Sequence, residues 1–455
     1  MNGGCSSRAR GRMGLQVRRG GGLAIWVALW GAVTSAGTVF AEALLLRGAV
    51  VHTVTGPTLA PGDVLVREGR VAAVGQGLEA PDARVVDLRG LHLYPALIAL
   101  NTGLGLKEID AVRPTLDQVE VGVFTPEVGS WVAVNPDSEL LPVARANGIG
   151  FFEPVPMGGV VAGRSGLLRL AGWTVREMTV RAPLAMHVFW PSMELDTRSR
   201  NEVPDPEKWK SPEGQARERA SRLRALEDFF RQADAYARAQ DPDRPPRVGA
   251  PGAQPIWEAM LPFVRGERPI VVHADDVRQI RGVLKWAETN RWRVMLAGGR
   301  DARREADGLA RLGIPVVYEH VFTRPVRDTD SYDVHFRAPA VLHKAGVTVL
   351  FSTGVEDASL VKNLPYHAAQ AVAHGFPAEA AVRALTVEAA RWCGLGEQLG
   401  SIEPGREATL FAATGDVLDI RTQVVRMWVE GREVGLENRH TRLYEKYRQR
   451  PGPRR

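Results

Sequence analysis

The sequence predicts an α/β protein made of a parallel (β/α)8 barrel and a small β domain built from both chain ends. Strand-like and helical patterns alternate from Leu93 to Leu399, which favours a parallel barrel. Short β segments lie on either side of that region. An apolar run from Leu93 to Leu100 ends in Asn101-Thr102-Gly103, a pattern typical of a buried strand that delivers its C-terminal end to a site. Because active sites of parallel barrels form at the C-terminal ends of strands, we expect the functional residues at those ends.

Residues 1–41 have the pattern of a secretory signal peptide. Five arginines precede an apolar run from Leu23 to Val33, and Val39-Phe40-Ala41 fits a small-residue cleavage site before Glu42. An uncleaved membrane anchor is the alternative, although glycines and polar residues dilute this short segment. We expect a protein secreted across the inner membrane into the periplasm, without a stable membrane span after signal removal.

Composition is that of an ordinary globular protein, with 45% hydrophobic and 24% charged residues. The formal net charge of +6 becomes 6 − 5 = +1 without the five signal-peptide arginines, so we do not predict nucleic-acid binding. Of the two cysteines, Cys5 belongs to the signal and Cys393 ends an apolar helical pattern, which predicts a buried structural thiol and no intrachain disulfide. The expected partner is a small-molecule substrate or ligand.

The β domain is predicted from segments at both ends of the mature chain. Near the start, Asp63–Arg67 and Arg70–Val74 flank Glu68-Gly69, which indicates a two-residue hairpin. Near the end, Ala408–Ala413 and Val424–Val429 have strand patterns. We predict a composite domain of residues 42–92 and 400–436, a barrel of residues 93–399 and a basic, solvated tail of residues 437–455.

Strands and helices of the barrel were assigned from hydrophobic periodicity. The predicted strands are Leu93–Asn101, Gly148–Phe152, Leu184–Phe189, Pro269–His273, Trp292–Leu296, Pro315–Tyr318 and Thr348–Ser352. The predicted helices are Asp276–Asn290, Asp301–Leu312, Ser359–His374, Pro377–Cys393 and an outer helix or insertion within Pro212–Gln240.

Candidate catalytic residues lie at or after the predicted strand ends. His273 ends an apolar strand, and one of the two following aspartates is expected to cap the next helix. Glu108 follows the first strand and Asp357 follows the last one, so both are further catalytic candidates if their loops fold back over the barrel.

Candidate substrate-binding residues are Asn101 and Arg164. Asn101 is either a buried turn-former or a hydrogen-bonding group for a substrate. Arg164 follows a glycine-rich stretch that could hold an anion, although a plain flexible loop is the favoured interpretation. The segment from Arg324 to His335 carries three aspartates and is interpreted as a lid or as a solvated loop.

Several stretches resemble the amidohydrolase superfamily, and its imidazolonepropionase-like branch in particular. The resemblance covers nearly all of the mature chain and is most specific near the C-terminus. The matching stretches are Leu46–Val51, Val66–Gly75, Asp87–Ile98, Ala381–Thr386, Ala389-Ala390, Leu399–Gly405 and Val429–Arg432. The resemblance implies a (β/α)8 hydrolase that activates water on one or two divalent metals, usually zinc, to attack an amide or related C–N bond.

The usual metal ligands of that superfamily are largely replaced here. By resemblance, the two histidines of the first strand fall on Asn101 and Gly103, and the aspartate of the eighth strand falls on Gly354. The histidine of the sixth strand falls near Ala297-Gly298, whereas that of the fifth is present as His273. A metal-bound hydroxide needs about three protein ligands and an open position, so we assign no metal ligand; zinc stays possible by resemblance alone.

Two functions follow from these patterns. The first is a secreted hydrolase that acts on non-peptide amide or cyclic amide bonds through a degenerate metal site. The alternative is a catalytically inactive barrel that serves as a periplasmic binding or scaffold protein, since a fold does not by itself establish activity.

Overall fold

The computed structural model describes residues 43–240 and 252–450. The signal-peptide prediction concerns residues outside these ranges. The strands within them are β1 (Leu44–Val51), β2 (Leu59–Arg67), β3 (Arg70–Gly75), β4 (Arg84–Asp87), β5 (His92–Pro95), β6 (Leu97–Thr102), β7 (Ile149–Pro154), β8 (Val161–Arg164), β9 (Leu167–Arg169), β10 (Thr179–Arg181), β11 (Met186–Phe189), β12 (Ile270–Ala274), β13 (Val294–Gly298), β14 (Val316–Tyr318), β15 (Val349–Phe351), β16 (Leu410–Ala413), β17 (Val424–Val429) and β18 (Arg432–Val434).

Helices fill most of the connections between the later strands. The α-helices are α1 (Leu140–Arg145), α2 (Val175–Met178), α3 (Pro212–Ala239), α4 (Pro255–Val264), α5 (Val277–Asn290), α6 (Ala306–Leu312), α7 (Val334–Lys344), α8 (Leu364–Ala373), α9 (Ala378–Leu385), α10 (Val387–Trp392) and α11 (Arg439–Arg448). Short 3-10 helices are Arg113–Thr115, Ser130–Ala133, Ala302–Glu305 and Ala358–Asn363. The predicted alternation of strands and helices is therefore present.

An eight-stranded sheet joins the early and late segments of the described chain. Its order is β18-β17-β16-β5-β1-β2-β3, with β4 paired to β1. The β2–β3 hairpin turns through Glu68 and Gly69, whose φ angles of 50° and 74° both lie in the left-handed region that such tight turns require. A separate hydrophobic cluster backs this sheet and includes Leu46, Val64 and Trp428. The exact domain limits stay a prediction.

The remaining strands form two groups that carry the candidate site. One sheet has the order β10-β9-β7-β6 and the other β15-β14-β13-β12-β11-β8. Pairing is parallel between β6 and β7 and through the run from β11 to β15. Parallel strands bring their C-terminal ends to one edge, so the residues after these strands converge.

The predicted single strand Leu93–Asn101 is in fact two strands in two different sheets. β5 pairs with β1 and β16, whereas β6 pairs with β7. The switch occurs at Ala96, whose N–H donates to the Thr409 carbonyl, while the N–H of Leu97 donates to Gly148. An apolar run alone does not reveal this change of partner, because both strands are buried.

The charged segment, for which an outer helix or an insertion was predicted, forms helix α3, which buries Leu226, Phe229, Phe230 and Tyr236. Cys393 is buried, as predicted. The basic tail differs from the expected frayed end, because α11 is a helix capped by the side chain of Asn438, although all its residues are exposed. Across the described ranges, no helix is both long and apolar enough to cross a membrane.

A partly buried ion pair joins the β9 strand to the eight-stranded sheet. Arg169 donates to both carboxylate oxygens of Glu407 and lies 2.9 Å from Glu430. The Arg169 and Glu407 side chains are only 15% and 12% exposed. Removing one partner therefore leaves a charge that water reaches poorly.

We expect Arg169→Ala to lower the free energy of unfolding by about 2–4 kcal/mol, because Glu407 loses its cation in a poorly solvated place. Chemical denaturation measures this loss. Asp82→Ala is the matched control, since it breaks the exposed Arg67–Asp82 pair and should cost clearly less than Arg169→Ala. Equal losses in the two variants would contradict this interpretation of the buried pair.

Candidate active site

Seven polar residues from five strands meet at one end of the parallel strands. Asn101 lies in β6 and Glu153 in β7, and His187 and His273 lie in β11 and β12. Asp275 follows β12, and Glu319-His320 follow β14 directly. Their contacts with one another define the candidate site.

Asn101 connects three of the strands through separate hydrogen bonds. Its side-chain amide donates to Glu319 Oε1, and its backbone N–H donates to Glu153 Oε2 at 3.0 Å. Its carbonyl accepts from the Ser352 hydroxyl at 2.8 Å. The residue is 1% exposed and has a φ of 54°, a left-handed conformation that asparagine tolerates better than most side chains.

Glu319 is a carboxyl group that is protonated about half of the time near neutral pH. Burial raises its pKa to about 7, the nearby Asp275 also raises it, and His320 and the amide of Asn101 act in the opposite direction. Part of its surface still reaches solvent. An accessible carboxyl with such a pKa suits proton transfer at neutral pH.

Asp275 and His320 form a close carboxylate–imidazole pair. His320 Nε2 lies 2.6 Å from Asp275 Oδ1, and His320 Nδ1 lies 3.1 Å from the Thr323 hydroxyl. Burial of Asp275 favours its neutral form, but the hydrogen bond and charge of His320 and the backbone N–H of Arg300 outweigh burial and lower the pKa. Asp275 is thus ionised, whereas the neighbouring Glu319 has a pKa of about 7. Two carboxyl groups whose pKa values differ in this way can act as an acid and a base.

A second group consists of Glu153, His187 and His273. His187 Nδ1 lies 3.0 Å from His273 Nε2, and His187 Nε2 lies 3.4 Å from Glu153 Oε1. Glu153 and His187 are almost completely buried, whereas His273 keeps some exposure. Burial, followed by the proximity of His187, holds the pKa of His273 well below its ordinary value, so this imidazole is neutral at pH 7.

Of the residues predicted from sequence, the structure brings Asn101 and His273 into this cluster. Glu108 instead lies 3.4 Å from the side-chain amide of Asn135, and Asp357 caps a 3-10 helix through Ser359. Arg164 donates to the carbonyl of Glu127 and stacks over Trp131.

Two other predicted features, the helix-capping aspartate and the segment Arg324–His335, are also defined by local contacts. Asp276 caps α5, as one of the two aspartates was expected to do. The predicted lid segment is held by ion pairs of Asp330 with Arg303, Arg304 and Arg327.

Four residues of the cluster were missed by the sequence reasoning: Glu153, His187, Glu319 and His320. Glu319 and His320 directly follow the predicted strand Pro315–Tyr318, and Glu153 lies one residue beyond Gly148–Phe152. Inspecting every strand end would have found these three. His187 lies inside a strand, where alternation alone does not distinguish a functional imidazole from a structural one.

The residues present do not fit the metal site that the resemblance implies. Among residues 43–240 and 252–450, no group of three or more His, Cys, Asp or Glu side chains is arranged to hold a metal ion. A Cβ atom at Gly298 would lie 2.5 Å from Asp275 Oδ1, and one at Gly354 would lie 3.0 Å from Glu319 Oε2. A Cβ atom at Gly103 would meet the Gln118 amide and lie 2.6 Å from the Val355 carbonyl. Other polar groups therefore occupy the space beside all three glycines.

The raised pKa of Glu319 predicts a specific pH dependence of stability. The folded protein holds this proton more tightly than the unfolded chain does, so the associated stabilisation is complete below pH 4.5 and is lost as pH rises through about 7. We expect Glu319→Gln to gain roughly 1–3 kcal/mol relative to the parent between pH 5 and 8. Denaturation at several pH values measures this. Glu397→Gln, at a 97% exposed carboxyl, should show no such trend, and a parallel shift in both variants would contradict the assignment.

The crowding at Gly354 yields another prediction. We expect Gly354→Asp, which restores the residue type of the superfamily, to lower stability by about 2–4 kcal/mol, because it combines a positive φ with close approach to Glu319. Gly405→Asp is the matched control, since Gly405 has a similar φ of 89° and open space around it. Thermal unfolding of the two variants separates crowding from backbone strain, and equal melting temperatures would contradict the crowding.

Comparisons with known proteins agree with this fold. A profile of the amidohydrolase family matches residues 324–434. Dihydroorotases of Mycobacterium tuberculosis and Mycobacterium bovis are each 30% identical over 116 residues, which is 23% of this chain and 26% of each relative. An amidohydrolase of Hapsidospora irregularis is 21% identical over 411 residues, 81% of this chain and 39% of that protein. The chain thus spans about a quarter to two fifths of the length of these relatives.

Solved structures give broader coverage. An amidohydrolase of Thermotoga maritima is 25% identical, with a TM-score of 0.74 over 86% of this chain and 99% of that one. A prolidase complexed with N-methylphosphonate-L-proline, at 15% identity and a TM-score of 0.52 over 86% of this chain and 99% of that one, shares the fold. The profile match makes residues 324–434 similar to the amidohydrolase family, and the similarity to the solved structures agrees with the predicted α/β architecture of the TIM-barrel type.

Proposed function

We propose that this protein hydrolyses a C–N bond of a small amide or cyclic amide, with Glu319 as the general base. The observation that carries the proposal is the position of Glu319. Its carboxylate lies beside Gly354, where the superfamily has an aspartate, and its pKa of about 7 leaves a substantial ionised fraction at neutral pH.

The surrounding residues support an acid–base mechanism. Ionised Glu319 accepts a proton from a water molecule as the water oxygen attacks the carbonyl carbon of the substrate. Breaking the C–N bond then requires a proton for the departing nitrogen, and the proposal assigns its delivery to His320, whose Nε2 lies 2.6 Å from Asp275 Oδ1. The products are a carboxylic acid and an amine. Glu319 then releases its proton to solvent, and His320 takes up a proton from solvent.

Asn101 has a supporting role in this mechanism. Its amide contacts Glu319, and a hydrogen bond to the ionised carboxylate limits the rise in the pKa of that group. The substrate-binding role inferred for Asn101 from sequence thus becomes orientation of the base. Assignment to the imidazolonepropionase-like branch rests on the resemblance and is part of the proposal.

The proposal treats the metal site as degenerate. His273 is the one family ligand present by resemblance, and Asp275, Glu319 and Gln118 occupy the space beside the substituted positions. We further propose that residues 1–41 direct export to the periplasm, which a comparison of precursor and mature masses in cell fractions tests.

A binding or scaffold protein is the competing function. It is favoured by the loss of ligand positions on separate strands, since superfamily membership alone does not ensure turnover. The two functions differ in whether any amide is consumed when the purified protein is in catalytic amount.

The decisive experiment is a hydrolysis assay of the purified mature protein on amides, cyclic amides and dipeptides, with metal content measured by plasma emission. We expect turnover that rises as pH increases through about 7 and a kcat that falls about 10²–10⁴-fold in Glu319→Gln. Glu397→Gln is the control for loss of a carboxylate elsewhere and should retain activity.

Two outcomes would contradict the proposal. Near-stoichiometric zinc together with activity that disappears on chelation would replace the carboxylate mechanism with a metal-dependent one. Absence of turnover across the panel, with binding of a compound detected by calorimetry, would favour the binding protein.

A further inference from the structure

Glu153 is a buried carboxylate that the proposed hydrolysis does not use directly. It is 2% exposed, and a charge in such a place is costly unless hydrogen-bond donors surround it. Its Oε2 accepts from the backbone N–H of Asn101 at 3.0 Å, and its Oε1 accepts from the Ser165 hydroxyl at 2.7 Å. His187 Nε2 lies 3.4 Å from Oε1. Strands β6 and β11 and the segment between β8 and β9 thus direct polar groups at one carboxylate.

The contact with His187 determines where protons lie on two imidazole rings. The 3.4 Å separation is long for a hydrogen bond, and His187 Nε2 has no well-aligned partner, but the facing atom is a carboxylate oxygen that can only attract a proton. When the proton of the His187 ring is on Nε2, facing this carboxylate, Nδ1 of the same ring has a lone pair. That lone pair must accept from His273 Nε2 at 3.0 Å, which therefore carries the proton of His273.

The position of these protons determines what His273, the partly exposed member of this group, offers to a substrate. With its proton on Nε2, a neutral His273 has a lone pair on Nδ1, for which the described residues provide no hydrogen-bond partner. The ring stacks on Phe189 at 4.0 Å between centroids, which fixes its plane. His273 thus offers a hydrogen-bond acceptor, not a donor, at the strand ends.

The Glu153 carboxylate also influences Glu319, because it holds the backbone of Asn101. The left-handed backbone of Asn101 is held by Glu153 at its N–H and by Ser352 at its carbonyl. That conformation aims the side-chain amide at Glu319. A change at Glu153 would therefore disturb both His273 and the orientation of Asn101.

We propose that Glu153 is a positioning residue that fixes the Nε2-protonated tautomer of His273 and the conformation of Asn101. Through them it makes His273 Nδ1 an acceptor for an N–H or O–H group of the substrate and sets the hydrogen bond that Glu319 receives. The catalytic consequence of this role rests on the proposed hydrolase function. The tautomer of His273 is a property of the protein without substrate.

Glu153→Gln tests the role with little change in shape. Its carboxamide can donate to His187 Nε2, which reverses the proton order and moves the proton of His273 to Nδ1. In NMR spectra of protein labelled with ¹⁵N-histidine, we expect the unprotonated nitrogen of His273 to be Nδ1 in the parent and Nε2, or a mixture, in the variant. Ser165→Ala is the matched control, because it removes one donor to Glu153 but keeps the carboxylate, and it should retain the parent tautomer.

Activity and a second structural measurement complete the test. We expect kcat of Glu153→Gln to fall at least tenfold, with a smaller change in KM, and Glu153→Asp to recover part of the loss. Neutron diffraction from the parent protein needs no variant and should show the proton of His273 on Nε2. A proton on Nδ1 would overturn the proposal. An unchanged tautomer in folded Glu153→Gln would overturn it as well. If the tautomer changes while Glu319→Gln keeps full activity, the proposed function fails and the positioning role stands.

Discussion

The contact between the Asn101 side chain and Glu319 is the interaction on which the candidate site depends. It links β6 to the end of β14, two strands that belong to different sheets. It exists because Asn101 adopts a left-handed backbone held by Glu153 and Ser352. The contact places a neutral donor against a carboxyl whose pKa burial raises, which keeps that group close to the midpoint of its titration at neutral pH.

By resemblance, three glycines fall where the superfamily has metal ligands, and the degenerate site that we propose is one in which other polar groups replace those ligands. Glycines at 103, 298 and 354 each leave room that a polar group from another strand or loop occupies: Gln118, Asp275 and Glu319, respectively. A site that had only lost its ligands would leave a cavity or apolar side chains. Here the same end of the barrel keeps several ionisable groups with divergent pKa values, an arrangement typical of acid–base chemistry.

Much of the architecture followed from the sequence, because hydrophobic periodicity and turn chemistry act locally. The Glu68-Gly69 hairpin, the strand before His273 and the Asp276 cap all depend on nearby residues. The site was only partly predictable. Asn101 and His273 were found at strand ends, but the partners that define their chemistry lie far along the chain, and Glu319 is 218 positions from Asn101. Long-range pairing of this kind, like the change of sheet at Ala96, leaves no local signal.

Infrared difference spectroscopy of the Glu319 carboxyl, with Glu319→Gln as the reference, tests the central claim most directly. A protonated carboxyl band that disappears with a midpoint near pH 7 in the parent, and is absent from the variant, is the predicted result. Titration of that carboxyl near its ordinary pKa of 4.5 would contradict a site built around Glu319 as a base at neutral pH.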